Sequence, residues 1–167
     1  MTGVQTCALP ILTIVKNTVG GDGTFPFTTT GGTPLANFNL TTTSTTANQV
    51  FNNVPPGNYS VTEGTLPTGW QFTSLSCTTG GTNAGQVASI VMPAGGDITC
   101  TFTNTKQGKL TIVKNTVGGD GTFPFTTTGG TPLANFNLTT TSTTANQVFN
   151  NVPPGNYSVT EGTLPTG

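Results

Sequence analysis

Three polar side chains are candidates for chemistry because each lies at the end of a stretch in which apolar and polar residues alternate. They are Lys16, Glu63 and Asn104. Side chains alternate across a β-strand, so each of the three shares a strand face with the apolar residues that precede it. Those residues are Leu12, Ile14, Tyr59, Val61, Ile98, Cys100 and Phe102. The pattern predicts that an amine, a carboxyl group and a carboxamide point into or along one apolar core.

Such a set of groups could react as well as pair. Burying any one of them alone would be costly, whereas together they can satisfy one another's hydrogen bonds. A desolvated lysine loses its charge more easily and becomes a nucleophile, which could attack a carboxamide. Lys16, Glu63 and Asn104 are therefore the candidate site residues, provided that the fold brings them together.

The strands that must position these groups are short and are separated by tight turns. Thr, Gly, Asn and Pro dominate the composition, a mixture that suits strands and turns and disfavours helices. Turn signals that recur about every 8–12 residues indicate an all-β fold, an antiparallel sandwich of seven to eight strands. Strands are predicted over 12–19, 24–29, 37–43, 48–54, 58–63, 70–78, 86–92 and 97–105, with a Gly-rich loop before the seventh.

The organisation of the chain follows from an exact repeat. Residues 12–69 occur again, without one change, as residues 110–167. A tandem unit of this length is about the size of one small domain. We therefore predict a complete module over 12–105, a linker over 106–109 and a truncated second module over 110–167, which we expect to be unstable alone because it lacks strands.

Residues 1–11 have no counterpart before the second copy and are excluded from the fold prediction. They resemble the translation of a sequencing-library adapter, in which case Cys7 is not part of the natural protein. The other two cysteines, Cys77 and Cys100, both lie in the first module. An even pair in a chain without histidine favours a disulfide and an oxidising setting over a metal site. Two buried free thiols are the alternative.

The composition excludes several classes of function. Four lysines, no arginine and no histidine stand against five acidic residues, so the net charge is −1. The sequence has no basic patch that could bind nucleic acid or an acidic membrane surface. It also has no apolar run that approaches membrane-spanning length. Without a metal-ligand cluster or a nucleophile motif, we expect neither an enzyme nor a bound metal or cofactor.

Three short motifs mark the start, the middle and the end of the module: LTIVK, YSVTEGTLPTGW and CTFTNT. Their combination resembles the prealbumin-like, collagen-adhesin B-type modules of Gram-positive surface proteins, which include the pilin-type SpaA domains. The most specific element is Tyr-x-x-x-Glu followed by Pro-x-Gly and an aromatic residue. The resemblance covers 12–105 and begins again at Leu110, and it implies a sandwich of the prealbumin type.

In that family, a lysine of the first strand and an asparagine of the last form an intramolecular isopeptide bond, assisted by a glutamate of a middle strand. The resemblance implies these roles for Lys16, Asn104 and Glu63, with ammonia as the leaving group. The second copy retains Lys114 and Glu161 but has no asparagine partner. The alternative is a partly exposed Lys16–Glu63 ion pair, which would contribute little stability, with Asn104 as an amide near a turn.

Two classes of function are consistent with these features. The first is a structural stalk in a secreted or wall-anchored surface adhesin, because a spacer needs length rather than a distinct surface in each repeat. The second is a module that binds a glycan or a matrix protein through one sheet face or the Thr-rich loop at 41–46. Both place the chain outside the cell. For the stalk, the expected partner is a host or environmental surface ligand that other parts of the full protein bind.

Overall fold

The computed structural model describes residues 9–164, and within them the protein contains strands and no α-helix. The chain divides after Lys106 into two compact units. Residues 9–164 contain no helix that is long and apolar enough to cross a membrane. The predictions for Cys7 and the rest of 1–8, and for the last residues, 165–167, fall outside the described residues.

The first unit has nine strands within its described residues. They are β1 (Ile11–Val19), β2 (Thr24–Thr30), β3 (Phe38–Thr41), β4 (Thr46–Asn52), β5 (Gly57–Glu63), β6 (Trp70–Cys77), β7 (Gly81–Ala84), β8 (Val87–Met92) and β9 (Asp97–Lys106). All eight predicted strands are present, and their ends lie within two residues of the predicted positions. The all-β fold class predicted from the sequence is confirmed, with one additional strand.

That additional strand, β7, occupies the stretch that we predicted to be a Gly-rich loop. The prediction was wrong because β7 pairs with β8, so neighbouring backbone overrides the local turn preference. Gly81 also has a packing role, since a Cβ atom there would lie 2.4 Å from the Cβ atom of Cys77. A glycine at this position lets β7 approach β6 closely.

The predicted start of β1, at Leu12, was also wrong. β1 begins at Ile11, one residue inside the segment that we excluded. The Ile11 amide donates a hydrogen bond of 2.8 Å to the Gly96 carbonyl, and the Val54 amide donates one of 3.0 Å to the Pro10 carbonyl. Backbone pairing requires no particular side chain, so the strand extends beyond the repeated sequence.

The nine strands form two sheets, with the orders β4-β1-β9-β6 and β3-β2-β5-β8-β7. Adjacent strands are antiparallel except for β1 and β9, which pair in parallel. In this register Lys16 lies opposite Phe102, and Thr18 lies opposite Asn104. The first and the last strand of the unit are therefore neighbours, although they are far apart in sequence.

One apolar core joins the two sheets of the first unit. An edge-to-face contact between Phe27 of β2 and Phe102 of β9, with ring centres 5.1 Å apart, links the sheets directly. Such aromatic pairs contribute about 0.5–1.5 kcal/mol beyond the area that they bury. The buried core residues are Leu12, Ile14, Phe25, Phe27, Leu35, Leu40, Phe51, Val54, Tyr59, Val61, Ala88, Ile90, Met92, Ile98, Cys100 and Phe102.

The second unit has five strands within its described residues. They are β10 (Gly108–Asn115), β11 (Thr122–Thr128), β12 (Phe136–Thr139), β13 (Thr144–Val152) and β14 (Ser158–Glu161), arranged as a β10-β13 pair and a β12-β11-β14 sheet. The stretch predicted to be a linker, 106–109, contributes Lys106 to β9 and its last two residues to β10. Gln107 alone among those four residues lies outside a strand.

Two small clusters replace the continuous core in this unit. Their buried members are Phe123, Phe125 and Leu138 in one cluster and Leu133, Phe149 and Val152 in the other. Leu110, which corresponds to the fully buried Leu12, is only partly buried. The 55 described residues of the second copy, 110–164, therefore bury less apolar surface than the identical residues 12–66 of the first unit, where β6–β9 complete the sandwich.

Candidate functional site

Strands of both sheets position the three polar residues singled out in the sequence. Lys16 lies on β1 and Asn104 on β9 of one sheet, and Glu63 is the last residue of β5 in the other. Their exposed fractions are 0% for Lys16, 2% for Glu63 and 0% for Asn104. The alternation along each strand turns these side chains toward the core, as it does for the apolar residues before them. The structure thus brings the three residues together.

One carboxylate oxygen of Glu63 contacts both of the other groups. Lys16 Nζ lies 3.0 Å from Glu63 Oε1, and Asn104 Nδ2 donates a hydrogen bond of 2.8 Å to the same atom. A single oxygen therefore faces the nitrogen of a possible nucleophile and the nitrogen of a possible leaving group. A group in this position can accept a proton from the first nitrogen and deliver one to the second.

Backbone contacts at the end of β5 hold Glu63 in place. Its amide donates a hydrogen bond of 3.0 Å to the Gln86 carbonyl. The Gln86 side chain donates in return to the carbonyls of Glu63 and Gly64, at 3.3 and 3.2 Å. The carboxylate is thus attached to a fixed strand end rather than to a mobile loop, as a precise site requires.

The surroundings of Lys16 favour loss of its positive charge. Burial lowers the pKa of Lys16 below its ordinary value of 10.5, and the hydrogen bond and charge of Glu63 oppose this shift without cancelling it. Lys16 Nζ also lies 4.4 Å from the centre of the Phe25 ring and donates a long hydrogen bond of 3.5 Å to the Phe102 carbonyl. The neutral amine is the form of lysine that acts as a nucleophile.

Two oxygen atoms of the site are buried without a hydrogen-bond partner. They are Glu63 Oε2 and Asn104 Oδ1. Buried polar atoms in native proteins nearly always have a partner, and leaving one unpaired costs about 1–3 kcal/mol. The cluster is therefore not arranged only to satisfy its own hydrogen bonds.

The second copy shows what the same sequence does in the smaller unit. Lys114 Nζ lies 2.5 Å from Glu161 Oε1, so the ion pair forms again. Here, however, the lysine side chain is 17% exposed and the glutamate side chain is 33% exposed, against 0% for both in the first unit. The pairing is encoded within the repeated sequence, whereas the dry environment requires strands that lie outside it.

A disulfide joins Cys77 to Cys100, as the sequence predicted. The two residues lie directly opposite each other on β6 and β9. Since β9 also carries Asn104, the disulfide fixes the strand of the amide to its other neighbour in the sheet. Residues 9–164 contain no group of three or more His, Cys, Asp or Glu side chains that could hold a metal ion.

Sequence reasoning missed two residues beside the site. Thr18 is only 5% exposed and lies opposite Asn104, and Phe25 packs against the Lys16 amine. The alternation of β1 could have identified Thr18, because it lies on the same strand face as Lys16. The contact of Phe25 depends on how the two sheets face each other, for which the local sequence carries no signal.

Several solved structures are similar to this chain in their fold, at low sequence identity. They include an adhesin of Mobiluncus mulieris described as containing intramolecular disulfide, isopeptide and ester bond cross-links, with 13% identity over 59% of this chain and 41% of that chain and a TM-score of 0.45. The major pilin of Streptococcus pyogenes has 16% identity over 92% of this chain and 82% of its own, with a TM-score of 0.41. The TIE protein of Bacillus anthracis has 21% identity over 94% of this chain and 28% of its own, with a TM-score of 0.43.

The chain spans less than half the length of the Mobiluncus adhesin. No curated protein matches the chain significantly. The sequence model of the SpaA-type family, described as a prealbumin-like fold domain, matches residues 12–106 and again residues 110–167. The protein therefore belongs to the family of prealbumin-like fold domains.

Proposed function

We propose that the chain is a load-bearing spacer in the stalk of a bacterial surface adhesin, secreted or attached to the cell wall. In this proposal, the side chains of Lys16 and Asn104 join in an intramolecular isopeptide bond while Glu63 moves the protons. The crosslink forms once in each molecule and is not turnover catalysis. The observation that carries the proposal is the placement of Glu63 Oε1 within 3.0 Å of Lys16 Nζ and 2.8 Å of Asn104 Nδ2.

The proton steps balance with these three groups alone. Lys16 gives one proton to Glu63 Oε1, and the neutral amine forms a bond to Asn104 Cγ while the carbonyl π electrons move to Oδ1. Glu63 then gives its proton to Nδ2 and takes another from the Lys16 nitrogen. When the carbonyl re-forms, the bond between Cγ and Nδ2 breaks, ammonia leaves and a secondary amide remains.

The position of the crosslink suits resistance to force. β1 is the first strand of the unit along the chain and β9 is the last, and the two are paired in parallel. A pull on the start of β1 and the end of β9 therefore loads their ladder of hydrogen bonds along the strands. With Lys16 bound to Asn104, the 87 residues between them could not extend, which withholds roughly 300 Å of chain length at about 3.3–3.6 Å per residue.

The crosslink and the disulfide would also restrain the unfolded chain. A bond from Lys16 to Asn104 closes a loop of 89 residues, which the loop-entropy relation for disulfides values at roughly 4–5 kcal/mol. The shorter loop between Cys77 and Cys100, with a sequence separation of 23, contributes about 3 kcal/mol by the same relation. A disulfide also suits an extracellular protein, because it persists in an oxidising environment.

Single-molecule stretching of the full chain under reducing conditions tests the spacer function. We expect the wild-type first unit to yield none of the roughly 300 Å between Lys16 and Asn104, and the Lys16→Ala variant to release that length in one step. Lys114→Ala is the matched control, because it removes the corresponding lysine of the other copy. Equal extension of wild type and Lys16→Ala would contradict the proposal.

One observation favours a second function, glycan binding. A row of hydroxyl groups crosses four adjacent strands on the outer face of the second sheet, from Thr30 through Ser60 and Ser89 to Thr82. The row lines an open groove of about 330 Å³, and Thr30 and Ser60 hydrogen-bond to each other at 2.7 Å. No charged side chain lines the groove, and Tyr59 and Val91 border it beside the hydroxyl groups. Hydroxyl groups next to apolar and aromatic carbon suit a neutral, hydroxyl-rich ligand such as a sugar chain.

Binding of the full chain to a panel of neutral oligosaccharides tests this second function. Ser89→Arg, which fills the groove, should abolish any binding that is found. Ser76→Arg, at an exposed serine of the other sheet, should leave it intact. If no oligosaccharide binds, the groove is a surface feature and the spacer function stands alone.

A further inference from the structure

We propose that the Thr18 hydroxyl group donates a hydrogen bond to Asn104 Oδ1 as this oxygen gains negative charge during crosslinking. The inference rests on the proposed isopeptide function and adds to it the group that stabilises the tetrahedral intermediate. The proposed reaction moves electrons onto Asn104 Oδ1, and none of the three reacting residues donates a hydrogen bond to that atom. A reaction of this type is strongly accelerated when a donor is placed there in advance.

Thr18 is the residue that the strand register places beside the amide. β1 and β9 are parallel neighbours, and Thr18 lies directly opposite Asn104 in their pairing. Both side chains face the core, since Thr18 is 5% exposed and Asn104 is completely buried. Side chains of directly opposed residues on neighbouring strands extend from backbones only about 4.8 Å apart.

The buried polar atoms of the first unit that lack a hydrogen-bond partner also indicate Thr18. Among its described residues, three buried side-chain atoms lack a partner: Thr18 Oγ1, Glu63 Oε2 and Asn104 Oδ1. Two of them are acceptors when Glu63 is ionised, and the Thr18 hydroxyl is the one that can donate a proton. An unused donor and an unused acceptor thus occupy opposed positions in one dry core.

The backbone of Thr18 is fixed while its hydroxyl remains free to turn. The Thr18 amide donates a hydrogen bond of 2.9 Å to the Thr45 carbonyl. The hydroxyl can rotate about the side-chain torsion to meet a displaced oxygen. Catalytic hydrogen bonds are often long or poorly aligned before the reaction and tighten only as the transition state develops. When Lys16 attacks Cγ, the carbonyl carbon becomes tetrahedral and Oδ1 moves, which is when the new bond is needed.

A refolding experiment separates this role from folding itself. The full chain is dissolved from inclusion bodies in urea, where the core is open and no crosslink can form, and is then diluted into a glutathione redox buffer. Trp70, the single tryptophan of the chain and a residue of the first unit, reports folding by its fluorescence. Samples quenched in acid report the reaction through the loss of about 17 Da, the mass of one ammonia.

We expect Thr18→Val to refold at the wild-type rate and to lose ammonia about 10²–10³-fold more slowly, the usual cost of removing one such donor. Thr18→Ser keeps the hydroxyl and should react within a few-fold of wild type. Thr116→Val, the same change in the second copy, is the matched control and should react like wild type. If Thr18→Val does not fold, the comparison of Thr18→Ala with Thr18→Ser decides in the same way.

Two different failures are distinguishable. If wild type loses ammonia and Thr18→Val loses it equally fast, the role of Thr18 is wrong and the crosslink stands. If wild type refolds without any loss of ammonia, the crosslink itself is wrong and the role of Thr18 falls with it.

Discussion

Lys16 and Glu63 form an ion pair that is completely shielded from solvent, with 3.0 Å between Nζ and Oε1. The identical residues of the second copy, Lys114 and Glu161, form the same pair with both side chains partly exposed. Two copies of one sequence therefore provide an internal comparison between a buried and a solvated pair. The difference arises from β6–β9, which cover the pair in the first unit.

The first prediction concerns the cost of leaving Lys16 unpaired. In an Asn104→Ala background, where no crosslink can form, Glu63→Ala should destabilise the first unit by about 3–5 kcal/mol, because a buried charge then has no partner. Urea unfolding followed by Trp70 fluorescence measures this change. Glu161→Ala in the same background should shift the Trp70 transition by less than about 0.5 kcal/mol, since its pair lies in the other unit.

An apolar replacement provides the control for that experiment. Lys16→Met combined with Glu63→Leu should recover most of the lost stability, because a buried ion pair can often be replaced by apolar side chains without loss. If Glu63→Ala alone proves harmless, the lysine is not held in a dry site, and the burial argument is wrong.

The second prediction concerns pH. Burial lowers the pKa of Lys16, so between the lowered value and 10.5 the unfolded chain binds more protons than the folded unit. Stability of the uncrosslinked Asn104→Ala variant should therefore rise with pH through this window, by at most about 1.4 kcal/mol per pH unit. The reference is the Asn104→Ala, Lys16→Met, Glu63→Leu triple variant, which lacks the titrating amine and leaves no unpaired carboxyl group in the core. Urea unfolding at several pH values should show the stability of the first variant rising relative to the second, and a constant difference would contradict the assignment.

The third prediction concerns the disulfide. In the Lys16→Ala variant, reduction of Cys77–Cys100 should destabilise the first unit by about 3 kcal/mol through the released loop. The reducing agent should have no effect on a chain that also carries Cys77→Ala and Cys100→Ala. Unfolding curves of Trp70 fluorescence with and without reductant measure both values. Equal curves for the oxidised and the reduced protein would show that the bond contributes nothing to stability.

The site residues could be predicted from the sequence because strand alternation is a local property. Lys16, Glu63 and Asn104 each continue the buried face of their own strand, and that information lies within a few neighbouring residues. The same alternation identified seven of the sixteen buried core residues, whereas the composition and the recurring turn signals predicted the all-β class. It extends to Thr18, which we overlooked because a threonine in a Thr-rich chain gives no distinctive signal.

Other features depend on distant parts of the chain and had no local signal. The parallel pairing of β1 with β9 determines which residues face each other, and it involves strands from opposite ends of the unit. β7 forms because β8 offers a free edge, despite a glycine-rich sequence that favours a turn. The different burial of Lys16 and Lys114 shows the same limit, because identical local sequences acquire different environments from their surroundings.

The intact mass of the oxidised full chain tests the central claim most directly. We predict a mass about 17 Da below that expected for the oxidised sequence, corresponding to one lost ammonia, and a tandem mass spectrum in which the peptides of Lys16 and Asn104 are joined. The joined peptides distinguish the crosslink from an asparagine that has cyclised on its own backbone. Lys16→Ala should restore the full mass, and Lys114→Ala should keep the loss. A wild-type chain at its full oxidised mass, or a loss that persists in Lys16→Ala, would contradict the account.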